Sequence, residues 1–111
     1  MAKRDDEQRL REAAQSASGE LPPPIRGAIQ AAAATALTDP TARPAIDPTY
    51  DGYIDAVVHR AHQIDDADLD AMRDAGLSDR ALFEITVNAA VGAGLAALGH
   101  ARRAQRSEDT P

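Results

Sequence analysis

Apolar and polar positions along these 111 residues follow a helical period, and they divide the chain into five stretches. Residues 3–17 hold strong helix formers with a broken apolar spacing at Leu10, Ala13, Ala14 and Ala17, which predicts a mostly exposed first helix within the N-terminal segment 1–20. Gly19 and the prolines at 22–24 end it, and Pro24 suits the first turn of a second helix over 24–37. There Ile25, Ile29, Ala32, Ala33 and Leu37 fall on one side. The stretch "TDPTARPAIDPT" then carries three prolines in twelve residues, so 38–48 reads as an extended crossover with no element of its own.

A third helix is expected over 49–63, with Thr49 as N-cap and Asp51 in the first turn, where the helix dipole favours a carboxylate. Tyr50, Tyr53, Ile54, Val57, Val58 and Ala61 share one face; Asp55, His59, Arg60 and Gln63 occupy the other. A short acidic helix follows in "DDADLDAMRDAG", capped by Asp65 or Asp66 and stopped at Gly76, with Leu69 and Met72 facing in. Leu77 packs back over that turn and Ser78 caps the last helix, 79–103. In that helix Leu82, Ile85, Ala89, Gly92, Ala93 and Ala96 trace one stripe, and Ala90, Gly94, Ala97 and Ala101 a second. A helix apolar on nearly all sides is surrounded by protein. Residues 104–111 have no apolar periodicity and are expected to be a disordered tail. With no strand signal and no repeat, the fold class is all-α: one domain, a small bundle of about five helices.

Composition adds a reason to associate. Hydrophobic residues make up 43 % of the chain but aromatics only 3 %, so Ala, Leu, Ile and Val must fill the core. Thin side chains bury little area each at roughly 25 cal/mol per Å², and a homo-oligomer is therefore expected. The close-packing residues Ala89, Gly92, Ala93 and Ala96 are the candidate interface. A formal charge of −6 with no basic cluster argues against nucleic acid as a partner. Residues 81–98 contain Glu84, Thr86 and Asn88 among many Ala and Gly, which reads as a buried helix and not as a membrane span. The charged first residues lack a signal peptide's apolar run, so a cytoplasmic location is expected. The chain has no cysteine, which removes disulfides, thiolate nucleophiles and Cys-x-x-Cys redox chemistry.

The order "Y..YIDAVVHRAHQIDDADLDAMRDAGLSDRALFEITVNAAVGAGLAAL" resembles the C-terminal part of the carboxymuconolactone decarboxylase-like family, which includes the alkylhydroperoxidase D-like proteins. The carriers are the acidic turn "DDADLDAM", the junction "AGLSD" at 75–79 and the Ala-rich helix after it, within residues 50–98. The resemblance implies an all-helical, oligomeric protein. Redox members of the family carry a Cys-x-x-Cys pair on an earlier helix, with a Glu upstream and a His downstream as a proton relay. Here the corresponding "PIRGAIQAAAATAL" has no thiol, carboxylate or imidazole. Thiol-dependent peroxidase chemistry is excluded, because its nucleophile is the thiolate itself. The His and Glu residues of the lactone-decarboxylating members have no match either, so the resemblance transfers no catalytic residue.

What chemistry remains must come from this chain's own pattern. Asp55 and His59 lie four apart on the third helix and His62 three further on, so a carboxylate and two imidazoles can converge on one flank. They could form an acid–base relay or two ligands of a metal site completed by Asp65, Asp66 or Glu84. The plainer reading, an exposed Asp–His pair with His62 at the edge of the core, is favoured because two imidazoles at this spacing recur by accident. Glu84 and Asn88 lie four apart in the most apolar segment, where a carboxylate can serve as acid or base, or can satisfy backbone and cross-subunit groups. Tyr50, Tyr53 and Asn88 are candidates for lining a small pocket for an apolar or acidic molecule. No cofactor or metal is called for. The favoured function is a thiol-free structural or binding component, in a homo-oligomer or with a related protein partner. The alternatives are a lactone- or hydroperoxide-metabolising enzyme using His59, His62, Asp55 and Glu84, or a metal-binding helical protein.

Overall fold

The computed structural model describes residues 2–16, 19–42, 44 and 46–109. Five α-helices follow in order: α1 (Ala2–Ser16), α2 (Pro23–Thr38), α3 (Pro48–Arg60), α4 (Asp66–Asp74) and α5 (Asp79–Asp109). Single 3-10 turns lie at Pro40–Ala42 and Ala61–Gln63, and there is no strand among the described residues.

Local chemistry sets most of the helix ends. Asp65 accepts from the Asp68 amide, and the Asp68 side chain accepts from the Asp65 amide, a reciprocal capping box at the start of α4. Gly76, at φ 100°, takes the left-handed conformation that closes α4, and the Leu77 amide donates back to the Met72 carbonyl. Ser78 Oγ then accepts from the Ala81 amide to open α5. Several ends differ from the sequence expectation; α3, expected to reach 63, stops at Arg60 and gives way to the 3-10 turn Ala61–Gln63. The cap of α3 is Asp47, which accepts from the Thr49 amide at 2.8 Å, and not Thr49. Pro48 fits the first helical position, where its missing N–H is no loss, so the helix starts earlier. The stretch 104–109, expected to be disordered, continues α5 as helix, since Ala, Gln and Arg sustain a helix without any buried face. Residues 110–111 of the expected tail lie outside the described residues.

The core forms where α2 and α5 run side by side. Ile29, Ala32 and Ala33 of α2 meet Leu82, Ile85 and Ala89 of α5, and Tyr53 and Ile54 of α3 and Met72 of α4 close the cluster. Ile29, Ile54 and Ile85 have no exposed surface, and each such side chain contributes roughly 1.5–3 kcal/mol by burial. The two long helices point the same way, because Arg26 pairs with Glu84 and Gln30 with Asn88 at the same chain separation. Their close approach is possible because of Gly92: a Cβ there would lie 2.7 and 2.8 Å from the carbonyl carbon and Cα of Gln30, and nearer still to its carbonyl oxygen. Antiparallel to both, α1 lies along their seam, with Glu7 ion-paired to Arg102 at one end and the carbonyls of Ala14 and Gln15 on Arg26 at the other. Among its described side chains α1 is mostly exposed.

Candidate functional site

Two polar rows face each other inside this apolar bundle. Arg26 and Gln30 lie four apart on α2, Glu84 and Asn88 four apart on α5, so each pair stands on one face of its helix. All four are buried, at 2, 5, 8 and 1 % exposure respectively. Arg26 Nη2 lies 3.0 Å from Glu84 Oε1, and Gln30 Nε2 donates to Asn88 Oδ1 at 2.8 Å. Asn88 Nδ2 in turn donates to the Glu84 carbonyl at 2.9 Å, and Gln15 Nε2 of α1 donates to Gln30 Oε1 at 3.0 Å. A continuous chain of hydrogen bonds thus ties α1, α2 and α5 together.

What this arrangement can do chemically is decided by the second set of partners. The Glu84 carboxylate also accepts from the amides of Glu20 and Leu21, at 2.8 and 2.9 Å, one on each oxygen. Arg26 Nη1 donates to the Ala14 and Gln15 carbonyls at 3.4 and 3.2 Å. These carbonyls lie in the last turn of α1, where the negative end of the helix dipole favours a cation. Glu84 and Arg26 are therefore fasteners of the α1–α2 connection. A Cβ at Gly19 would overlap the Glu84 carboxylate and the Arg26 guanidinium, so any other residue there would displace the pair. Glu84 is thus buried as expected of a candidate acid or base, yet its oxygens are taken by structure.

The remaining candidates are scattered. Asp55 is half-buried on α3, His59 is exposed on the same helix, and His62 is exposed on the following 3-10 turn. The expectation that His62 packs at the core's edge is corrected: the helix tightens to 3-10 geometry at Ala61 and turns the imidazole outward. Asp65 is spent on capping α4. Among the described residues no three His, Asp or Glu groups stand where they could hold a metal ion. Tyr53 is core, and its hydroxyl lies 2.8 Å from Thr86 Oγ1. Thr86 donates its own proton to the Leu82 carbonyl, so the phenol is the donor and pins α3 to α5. Tyr50 packs, half-buried, against the core. Ala89, Gly92, Ala93 and Ala96, expected at a subunit seam, lie on the inner side of α5: Ala89 has no exposed surface, Gly92 abuts Gln30, Ala93 packs on the core, and Ala96 borders a groove against α2.

Arg26 and Gln30 were not singled out from the sequence, although a signal was present. They repeat the four-residue spacing of Glu84 and Asn88, beside the apolar stripe of an otherwise Ala-rich helix. Arg60 and Asp68 form a further link, from α3 to α4, at 3.3 and 3.4 Å. The hydrogen bond from Arg60, helped by the Asp65 amide, holds the Asp68 carboxyl below the usual aspartate range, and the same bond raises Arg60. Beside the polar rows, a pocket of about 280 Å³ is lined by Ala14, Phe83 and Val87 together with Arg26, Arg80, Glu84 and Asn88. No family model, curated protein or solved structure matches this chain.

Proposed function

We propose that this protein is a thiol-free, divergent relative of the carboxymuconolactone decarboxylase-like proteins that acts in the cytoplasm as a structural or binding component of an assembly, and not as an acid–base catalyst. One observation carries the reading: the only buried candidate for catalysis, Glu84, holds Arg26 and the amides of Glu20 and Leu21, while His59 and His62 face solvent on another element. General acid–base catalysis needs a group within reach of a substrate proton and able to give up its present partners. A carboxylate that closes a chain connection has no such freedom. The helical order and the Gly76 stop followed by the Ser78 restart support the family side of the proposal.

The test is turnover. Purified protein, assayed for decarboxylation of a carboxymuconolactone and for reduction of an organic hydroperoxide, is expected to give no rate above background. Turnover that falls in His59→Ala or His62→Ala would refute the reading, since both side chains are exposed and their loss leaves the fold intact.

A further inference from the structure

One side of α5 is packed in the bundle and the other is uncovered. Between Arg80 and Arg102 the only Asp, Glu, Lys or Arg is Glu84, which is buried. The uncovered side runs through Phe83, Val87, Ala90, Gly94, Leu98 and Ala101 at steps of three and four residues, one face of a helix. Phe83 is 68 % exposed and Leu98 41 %. Leaving a phenyl ring in water forgoes much of the roughly 1.5–3 kcal/mol that its burial contributes.

Charge at the two ends of this strip selects what covers it. Residues 65–80, in α4 and the start of α5, carry six aspartates against Arg73 and Arg80, a net −4. Residues 102–109 at the far end carry three arginines against Glu108 and Asp109, a net +1, with Arg102 also paired to Glu7 of its own chain. A second copy lying antiparallel sets each acidic end beside the other's basic end and opposes the two helix dipoles. A parallel copy puts like charge beside like at both ends.

We propose that α5 pairs antiparallel with α5 of a second copy, about a two-fold axis beside Ala90 and Val91. The proposal rests on the assembly reading above and names the partner. In this register Phe83 faces Leu98 and Val87 faces Gly94, where an added Cβ meets nothing within 4 Å, so the glycine leaves room for the opposing valine. The pocket beside Phe83 and Val87 borders the same strip. From 81 to 101 the strip is about 31 Å long and about 11 Å wide by helix dimensions. Its footprint of roughly 340 Å² is small against the ~800 Å² per partner of a standard interface, so the dimer is weak and depends on concentration.

A chain without cysteine lets single introduced thiols report the geometry. Sedimentation velocity over a wide concentration range is expected to show monomer giving way to dimer, with Phe83→Glu and Leu98→Glu each remaining monomeric and fully helical. Under mild oxidation Ala90→Cys is expected to cross-link to itself, whereas Val87→Cys links to Gly94→Cys only when the two variants are mixed. Monomer at every concentration, or self-linking of Val87→Cys, overturns the proposal. By length and composition α5 could also enter a membrane, so a monomer that floats with neutral or anionic lipid vesicles overturns it too. These outcomes are separate from failure of the non-catalytic reading, which appears as histidine-dependent turnover.

Discussion

Adding one methyl group at position 92 tests the packing that organises the bundle. In Gly92→Ala the new Cβ would sit 2.7 Å from the backbone carbonyl carbon of Gln30 and 2.8 Å from its Cα. Carbon atoms pack at about 3.5–4.0 Å, so α2 and α5 must separate by close to 1 Å at this point. The obstacle is the backbone of a buried helix, and no rotamer change can relieve it. A radial gap of 0.5–1 Å forfeits about a quarter to a half of each dispersion well along the seam, and overpacking of this kind costs about 1–3 kcal/mol or more. Against this, replacing glycine by alanine in a helix interior stabilises by about 0.8–1.0 kcal/mol. The steric term wins, for a net loss of about 1 kcal/mol, the middle of the overpacking range less the propensity gain. Gly52→Ala is the control, because Gly52 is an exposed α3 position where a Cβ meets nothing within 4 Å. It should gain the propensity term alone, about 1 kcal/mol. Thermal unfolding followed by circular dichroism at one fixed protein concentration reads both, at about 4–8 °C per kcal/mol for a domain near this size. If Gly92→Ala melts at or above the wild type, or if Gly52→Ala loses as much as Gly92→Ala, the close approach of α2 and α5 is not what positions them.

Glu84→Gln leaves the Arg26 charge buried and uncompensated, and should destabilise by about 3 kcal/mol, the low end for breaking a buried pair, because the amide oxygen still accepts one bond; urea unfolding measures it. Arg26→Met combined with Glu84→Gln should not recover the loss, since the carbonyls of Ala14 and Gln15 then lose their donor; full recovery would show that the pair does not fasten the α1–α2 connection. Asp68 titrates below the ordinary aspartate range in the fold, so its stabilisation is complete above that range and disappears as pH falls through its lowered value. Urea midpoints of wild type and Asp68→Asn should therefore converge on acidification; a gap that stays constant into strong acid contradicts the assignment of the Arg60 bond as the cause.

Helix ends were legible wherever a residue's own backbone chemistry decides them. Gly76 can take a positive φ, Ser78 and Asp65 carry short acceptors, and all three act within a few residues of their position. The start of α3 was misread because two capping residues stand one proline apart, and only the chain's path into the helix chooses between Asp47 and Thr49. The end of α5 was misread for a different reason. Apolar periodicity marks where a helix is buried, and this helix continues past its packed part on propensity and the Glu7–Arg102 pair.

By itself the sequence determined an all-helical chain, its punctuation and the absence of thiol chemistry, because these follow from residue types acting locally or from a residue that is absent. The tertiary structure alone decided what Glu84 is for and which side of α5 stays uncovered. Arg26 and Glu84 are 58 residues apart, and Glu20 and Leu21 reach the same carboxylate from a turn between two other helices. Local spacing cannot bring such groups together, since the parallel register of α2 on α5 is set by the fit of Gly92 against Gln30 and by the core around Ile29 and Ile85. The same register assigns the small-residue stripe of α5 to the inside of the chain. It leaves Phe83 and Leu98 outside.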